Sequence, residues 1–144
     1  MKSRTKARGI ALQVLYEFDL TSHPIGTIIQ NRLAASELEN NLDSFVHDIV
    51  QGVHPFIEKM DQIIGDYAPD WPMDQVASID RNIIRIALWE FAIGKITPVK
   101  VAINEAVELA KIYGSDSTPR FINGVLGSLV KNLNKFEHEF IKQE

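Results

Sequence analysis

The sequence of 144 residues contains no cysteine, which excludes a disulfide framework, a thiolate metal site and a thiol nucleophile. It also has no long hydrophobic run. Its strongest apolar stretch, residues 83–88, is interrupted by Arg85 and is far shorter than a membrane span. The N-terminus is basic and polar, without the apolar centre of a signal peptide. These absences predict a cytoplasmic protein that does not contact a membrane.

The common catalytic motifs are missing as well. The sequence has no G-x-S-x-G, no P-loop, no G-x-G-x-x-G and no H-E-x-x-H. His47 and His54 lack a third metal ligand at suitable spacing. Glu108 is better explained by an ion pair with Lys111 on a helix surface than by acid–base catalysis. We therefore expect no enzymatic activity, no metal and no cofactor, although a helical enzyme with an unrecognised site remains an alternative.

Every clear periodicity in the chain is helical, and no segment alternates with period two over the length of a strand. The sequence therefore predicts an all-α fold of about seven helices in one domain spanning residues 1–144, with a subdomain divide near residues 69–78. Gly52 and Pro55 predict a break near His54. The predicted helices cover residues 4–20, 25–38, 42–64 with that break, about 78–94, 98–113 and 118–142.

The start and stop signals of the later helices are specific. Thr97 is a candidate cap for a helix starting at Pro98, and Gly114 is a candidate left-handed residue at its end. Val101 is expected on the apolar side of that helix. Asp80 is expected to face outward from the first turn of the middle helix, and Arg85 is expected to be a solvated base on it.

The formal net charge is −4, yet four cations precede the first acid, Glu17. These cations are Lys2, Arg4, Lys6 and Arg8. Arg4 and Arg8 are four residues apart, so we expect them to present their charges together on one helix face. A basic tip on an acidic body is typical of a local polyanion contact, but it also fits a solvated tail, and charge alone does not separate these readings.

The side chains near both ends of the chain suit single-stranded RNA. Gln13 and Tyr16 follow the cations on the first helix, and Arg120 and Phe121 follow a hydroxyl-rich loop that contains Ser117. Cations hold phosphates, amides read base edges and aromatic rings stack on splayed bases. Tyr16 and Phe121 also fit a buried helix face, so the residues by themselves leave both readings open.

Several motifs together resemble one family. VAINEAVELAK is followed by a loop of glycine, acid and serine and then by FINGVL, and the first helix carries R-x-x-x-R-x-x-A-x-x-x-L-Y. The middle of the chain carries V-x-G-V from Val50 and I-D-R-x-I-x-R-x-A from Ile79. These segments resemble the NusB family of bacterial transcription antitermination factors over nearly the whole chain.

The resemblance implies two three-helix bundles without catalytic activity. It also implies binding to the single-stranded boxA element of nascent ribosomal RNA transcripts together with NusE, a small-subunit ribosomal protein, in an RNA polymerase antitermination complex. The implied NusE contact is Asp80. Ser117 stands where many members have an acid. The implied RNA contacts are Arg4, Lys6, Arg8, Gln13, Tyr16, Ser117, Arg120 and Phe121.

Two further points stay open at the level of sequence. The chain is also consistent with a helical protein-interaction module that does not bind RNA directly. Members of the resembled family include monomers and homodimers, so a homodimer that covers the basic helix is possible for this chain too.

Overall fold

Seven α-helices of ten or more residues form the described part of the chain, which comprises residues 2–39, 41–70 and 72–141 of this computed structural model. No strand occurs among these residues, which confirms the all-α prediction. The helices are α1 (Ser3–Leu20), α2 (Ile25–Ala34), α3 (Leu42–Val53), α4 (Ile57–Tyr67), α5 (Ser78–Leu88), α6 (Val99–Tyr113) and α7 (Thr118–Lys131). A short α8 (Leu133–Phe136) and a 3₁₀ turn (Glu137–Phe140) follow.

The long helices pack as two small bundles. In the first, α1 packs against α2 and α3; in the second, α5, α6 and α7 pack against one another. α1 also packs against α5, so the two bundles share one continuous apolar core. α4 packs against α5 and α7. No helix in the described residues is long and apolar enough to span a bilayer.

The pattern of α1 has the predicted consequence. Ala7, Ala11, Val14 and Leu15 are all fully buried, because residues at these spacings share one helix face. Burying a side chain the size of valine or leucine contributes about 1.5–3 kcal/mol. This face fixes the orientation of α1 and therefore determines which of its polar residues reach solvent.

The predicted break near His54 is confirmed. α3 ends at Val53, a 3₁₀ turn covers His54–Phe56, and α4 begins at Ile57. Pro55 lies inside that turn and has no N–H to donate to a helical hydrogen bond.

Predictions for two helix ends and for two residues near α6 were wrong. The last long helix ends at Lys131 instead of continuing to about residue 142, and α2 ends at Ala34. Val101 is 46% exposed instead of lying on the apolar side of α6. Thr97 does not cap α6: its hydroxyl donates to Glu90 Oε1 at 2.6 Å, and the helix starts at Val99.

Gly114 is required for a reason other than the predicted one. Its φ of −93° and ψ of −173° are extended, not left-handed. A Cβ atom built on Gly114 would overlap the side chain of Thr118. The glycine therefore permits a close approach between the end of α6 and the start of α7.

Candidate nucleic-acid interface

Arg8 is not on the surface, so the expectation that it presents its charge together with Arg4 is wrong. Its side chain is 4% exposed, and its Nη2 lies 2.8 Å from Glu90 Oε1. Its Nε donates to Glu90 Oε2 at 2.9 Å, and its Nη1 donates to Glu105 Oε1 at 2.8 Å. A contact between Arg8 and RNA would leave the carboxylates of Glu90 and Glu105 without their cationic partner, and an unpaired charge in the interior is costly. Arg8 is therefore a buried support beneath the predicted site.

Sequence reasoning missed the acids that hold Arg8. Glu90 is 1% exposed, and it also accepts the hydrogen bond from Thr97. Thr5 donates to Glu105 Oε1 at 2.9 Å. The sequence signal for this pairing was Glu90 itself, an acid among the apolar residues that follow α5. A carboxylate buried there needs a cation or several hydrogen-bond donors.

Arg4 and Lys6 are exposed, and both are locally anchored. The guanidinium of Arg4 lies 4.5 Å from the ring centre of Phe45, a cation–π distance. Lys6 Nζ donates to the backbone oxygen of Glu37 at 2.7 Å. Both side chains lie at the surface of α1, which is where phosphate groups can reach them.

A groove beside the N-terminal end of α1 combines charge with apolar surface. It has a volume of about 420 Å³, and the cations Lys2 and Arg4 are among the residues that line it. Ile96 and Val101 also line it and are 48% and 46% exposed. This combination suits a ligand that carries both phosphates and flat apolar rings.

α1 and α6 run parallel, which determines where the two predicted halves of the site lie. Thr5 bonds to Glu105 and, further along both helices, Gln13 bonds to Tyr113, with an offset of 100 residues in each pair. The same offset brings Tyr16 to the level of the loop that follows α6. The Tyr16 end of α1 and the loop with Ser117 are therefore neighbours, whereas Arg4 and Lys6 lie toward the other end of α1.

Tyr113 links these parts, and sequence reasoning missed it. The side chain of Gln13 donates to its hydroxyl at 3.4 Å. A Cβ atom built on Gly9 would overlap the same hydroxyl. The signal was Gly9 itself, since a glycine within a helix is unfavourable by about 0.5–1 kcal/mol relative to alanine unless a close contact requires it.

Gln13 and Tyr16 differ in how far their side chains are exposed and hydrogen-bonded. The Gln13 amide is half-buried, and its oxygen accepts a hydrogen bond from Arg32 Nη1 at 3.0 Å. Tyr16 is 36% exposed, which excludes the reading of its ring as a fully buried core residue. Tyr16 is therefore the more accessible of the two for contact with a ligand.

The loop before α7 carries the remaining predicted residues. Ser117 and Arg120 are exposed and line a depression of about 440 Å³ together with Asp116 and Pro119. Phe121 is half-buried and packs against the core with part of its ring. The loop thus brings a cation, hydroxyl groups and a partly buried aromatic side chain together at one end of α7.

Asp80 is not free to face outward as predicted. It is half-buried in the first turn of α5 and accepts a hydrogen bond from the Thr118 hydroxyl, 3.2 Å from Oδ1 and 3.3 Å from Oδ2. Burial raises the pKa of Asp80 above its ordinary value, and the hydrogen bond from Thr118 opposes that rise. The described residues provide no ion pair to this carboxylate.

Arg85 is a buried residue and not the predicted solvated base. It is 4% exposed and pairs with Asp19 at 3.0 Å and Asp61 at 2.6 Å. Burial by itself would lower the pKa of Arg85, but the hydrogen bonds and charges of Asp61 and Asp19 raise it. Because Asp19 lies on α1 and Asp61 on α4, this cluster holds α5 between them.

The predicted pairing of Glu108 with Lys111 is present at 3.6 Å. Among the described residues no group of histidines and acids is arranged to hold a metal ion.

Comparison with known proteins gives a consistent result. The model of the NusB family matches residues 5–131. A transcription antitermination protein NusB from Roseiflexus castenholzii is 46% identical over 129 residues, covering 88% of this chain and 91% of the relative. The protein of the same name from Bacillus subtilis is 36% identical over 135 residues, covering 94% and 99%. A solved complex of antitermination factors NusB and NusE with double-stranded RNA superposes with a TM-score of 0.82 at 26% identity, covering 91% of this chain and 98% of that chain.

Proposed function

The chain belongs to the NusB family, and we propose that it acts as a transcription antitermination factor in the cytoplasm. Its RNA ligand is the single-stranded boxA element of nascent ribosomal RNA transcripts, which it binds together with NusE. The complex helps RNA polymerase resist premature termination. The chain acts by binding and not by catalysis.

The observation that carries this proposal is the parallel alignment of α1 with α6. It supports a site in which the exposed Tyr16 lies at the level of the loop that carries Ser117 and Arg120, with the exposed Arg4 and Lys6 further along α1 toward its N-terminal end. Exposed cations neutralise phosphates, and an exposed ring stacks on a base that is not paired. The chain as a whole is negatively charged, so a polyanion is expected to bind only where these cations are concentrated.

Single-stranded RNA is favoured over a duplex by the aromatic side chains. Tyr16 is partly exposed and the ring of Phe121 is half-buried, so both can offer an edge or a face to a base. Bases within a duplex are stacked on each other and are not available for such contacts. The similar solved complex contains double-stranded RNA together with NusE, which supports RNA and NusE as ligands of this chain.

The contact with NusE is proposed at Asp80. Its half-buried carboxylate has a raised pKa and no ion pair in the described part of the chain. A lysine or arginine of NusE would compensate this charge and remove the cost of burying it. Such a contact would add affinity and would fix the orientation of the partner.

A protein-interaction module without RNA binding is the second candidate, and one observation favours it. Ile96, Val101 and Ile112 are each more than two-fifths exposed along the start and outer face of α6. Exposed apolar side chains in one region are typical of a surface that contacts another protein. A second copy of this chain is one partner that such a surface would accept.

Titration of boxA RNA with the purified chain, alone and with NusE, tests the proposal. We expect binding that weakens as salt rises, preference over an RNA of the same composition in scrambled order, and tighter binding when NusE is present. Sedimentation in the same buffers reports whether RNA and a homodimer compete. Equal binding to both RNAs would reject boxA recognition, and the absence of RNA binding under all conditions would favour the protein-interaction module.

A further inference from the structure

Four oxygen-bearing side chains form a continuous path from Asp80 to the surface. The Thr118 hydroxyl donates to the Asp80 carboxylate at 3.2–3.3 Å. Ser115 Oγ lies 3.1 Å from Thr118 Oγ1, and Ser117 Oγ lies 3.3 Å from Ser115 Oγ. Thr118 is 1% exposed, whereas Ser115 and Ser117 are exposed. The path therefore begins at a half-buried acid and ends at a residue of the proposed RNA site.

The carboxylate determines the direction of each hydrogen bond in this path. An ionised carboxylate only accepts, and a hydroxyl has one proton and two lone pairs. Thr118 gives its proton to Asp80, so in the contact between the two hydroxyls Ser115 must be the donor. The second lone pair of Thr118 accepts the backbone N–H of Ser115 at 2.9 Å. Thr118 is thereby saturated.

The same reasoning fixes Ser117. Since the proton of Ser115 is directed to Thr118, Ser117 must be the donor in its contact with Ser115. The hydroxyl proton of Ser117 is then engaged with Ser115, and its two lone pairs remain to accept hydrogen bonds from a ligand. An exposed serine that would otherwise be both donor and acceptor is held as an acceptor.

We propose that Ser117 is a specificity-determining residue that accepts a hydrogen bond from a donor group of the bound RNA, with its orientation set by Asp80 through Thr118 and Ser115. This inference rests on the proposed RNA-binding function. A phosphate oxygen cannot donate, so phosphates are directed to Arg120 on the same depression. The donor on RNA is a ribose 2′-hydroxyl or an amino group of a base.

The path is also compatible with the proposed NusE contact at Asp80. A carboxylate has about four acceptor sites, and Thr118 provides one proton. A cationic group of a partner can occupy the remaining sites without reversing the direction of the path. One acid can therefore serve both surfaces at the same time.

The test uses the full chain without NusE and single-stranded boxA RNAs. In one series each 2′-hydroxyl in turn is replaced by fluorine, and in another each base amino group in turn is replaced by hydrogen. We expect the unmodified chain to lose about three- to tenfold in affinity at one position of one series, the range for a single neutral hydrogen bond. The series in which the loss occurs identifies the donor.

Variants of the chain then show whether Ser117 and its orientation cause this loss of affinity. Ser117→Ala should bind the sensitive RNA and its modified form equally. Ser115→Ala changes an exposed residue and leaves the bond between Thr118 and Asp80 intact, yet it should reduce the discrimination because Ser117 is no longer oriented. Thr118→Ser retains the path and should retain the discrimination, and Ser22→Ala is an exposed control that should match the unmodified chain.

The outcomes separate this inference from the function on which it rests. If boxA RNA binds but no position discriminates, or if Ser115→Ala discriminates as well as the unmodified chain, the orientation of Ser117 by this path is rejected while RNA binding stands. If no RNA binds, both proposals fail.

Discussion

The Arg8 guanidinium and the Glu90 carboxylate form a two-point ion pair in the interior, with nitrogen–oxygen distances of 2.8 and 2.9 Å. Neither side chain exposes more than 4% of its surface. Arg4, one turn earlier on the same helix, remains exposed and lies over the ring of Phe45. Two arginines of identical local pattern therefore have different roles, one in holding the fold and one at the surface.

Arg8→Ala should be strongly destabilising. It leaves Glu90 buried without its cation, and removing one member of a buried pair costs about 3–5 kcal/mol. Arg4→Ala is the matched control and should cost no more than about 1 kcal/mol, the value of its exposed cation–π contact with Phe45. Urea denaturation of both variants measures the difference. Similar stabilities would show that the interior does not depend on the Arg8–Glu90 pair.

The salt dependence of RNA binding should report the exposed cations. If Lys2, Arg4, Lys6 and Arg120 each neutralise one phosphate of a single strand, log K should fall with log salt at a slope of about −3. Arg4→Ala should lower affinity and flatten the slope by about 0.7. Lys131→Ala, at the far end of α7, should leave the slope unchanged. A slope that Arg4→Ala does not alter would place the RNA elsewhere.

The sequence predicts well wherever local periodicity decides the structure. The boundaries of α1 and the break at His54 follow from apolar spacing and from Pro55, and both are present. The early end of α7 does not follow from periodicity. Phe136 is fully buried and lies 5.2 Å from the ring of Tyr67, so the chain must turn after Lys131 to bring it to α4.

The residue types of the candidate site could be predicted from the sequence, but the exposure of each side chain could not. Arg4 and Arg8 have equivalent sequence patterns, and Arg8 is buried because Glu90 and Glu105, 82 and 97 residues away, bind its guanidinium. Asp80 likewise reads as an exposed acid, and its bond to Thr118 depends on the packing of α5 against α7. A single sequence can indicate that such a residue needs a partner, but it does not identify a partner at this range.

Gly9→Ala and Gly65→Ala should have opposite effects on stability. Replacing glycine by alanine within a helix normally stabilises by about 0.5–1 kcal/mol. Nothing lies near a Cβ atom built on Gly65, so this variant should show the normal gain. At Gly9 the new methyl group would meet the Tyr113 hydroxyl, which must then move. Gly9→Ala should therefore be destabilising in thermal unfolding.

The same pair of variants tests the role of Tyr113 in the site. Displacing Tyr113 should also weaken RNA binding, because its ring packs between α1 and the end of α6, next to the loop that carries Ser117. Gly65→Ala should bind RNA normally. Unchanged RNA affinity in folded Gly9→Ala would show that Tyr113 does not position the site.

Asp80→Asn should weaken the binding of NusE. The amide oxygen can still accept the Thr118 hydrogen bond, so the change mainly removes the charge. Loss of a hydrogen bond to a charged group costs about 1.5–3 kcal/mol, which calorimetric titration can measure. Asp74→Asn, an exposed acid in the 3₁₀ turn before α5, is the control. Equal NusE affinity for the Asp80→Asn variant and the unmodified chain would move the interface away from Asp80.

The affinity for NusE should also depend on pH in a defined direction. Burial raises the pKa of Asp80 in the chain alone, and a cation from the partner would lower it. Binding then releases a proton, so affinity rises with pH until Asp80 is fully ionised in the unbound chain and is constant above that pH. The Asp80→Asn variant should lack this rise.

Phe121 separates RNA stacking from packing, because its half-buried ring packs against the core and is also a proposed stacking contact for RNA. Phe121→Ala should reduce RNA affinity by about 1–3 kcal/mol, the value of one stacked base. It should also lower stability, but by less than the roughly 3–5 kcal/mol typical of a fully buried phenylalanine. Phe121→Leu restores apolar contact without a ring, so it should recover most of the stability and little of the RNA affinity. Recovery of both by leucine would show that Phe121 acts only through packing and would leave Tyr16 as the stacking residue.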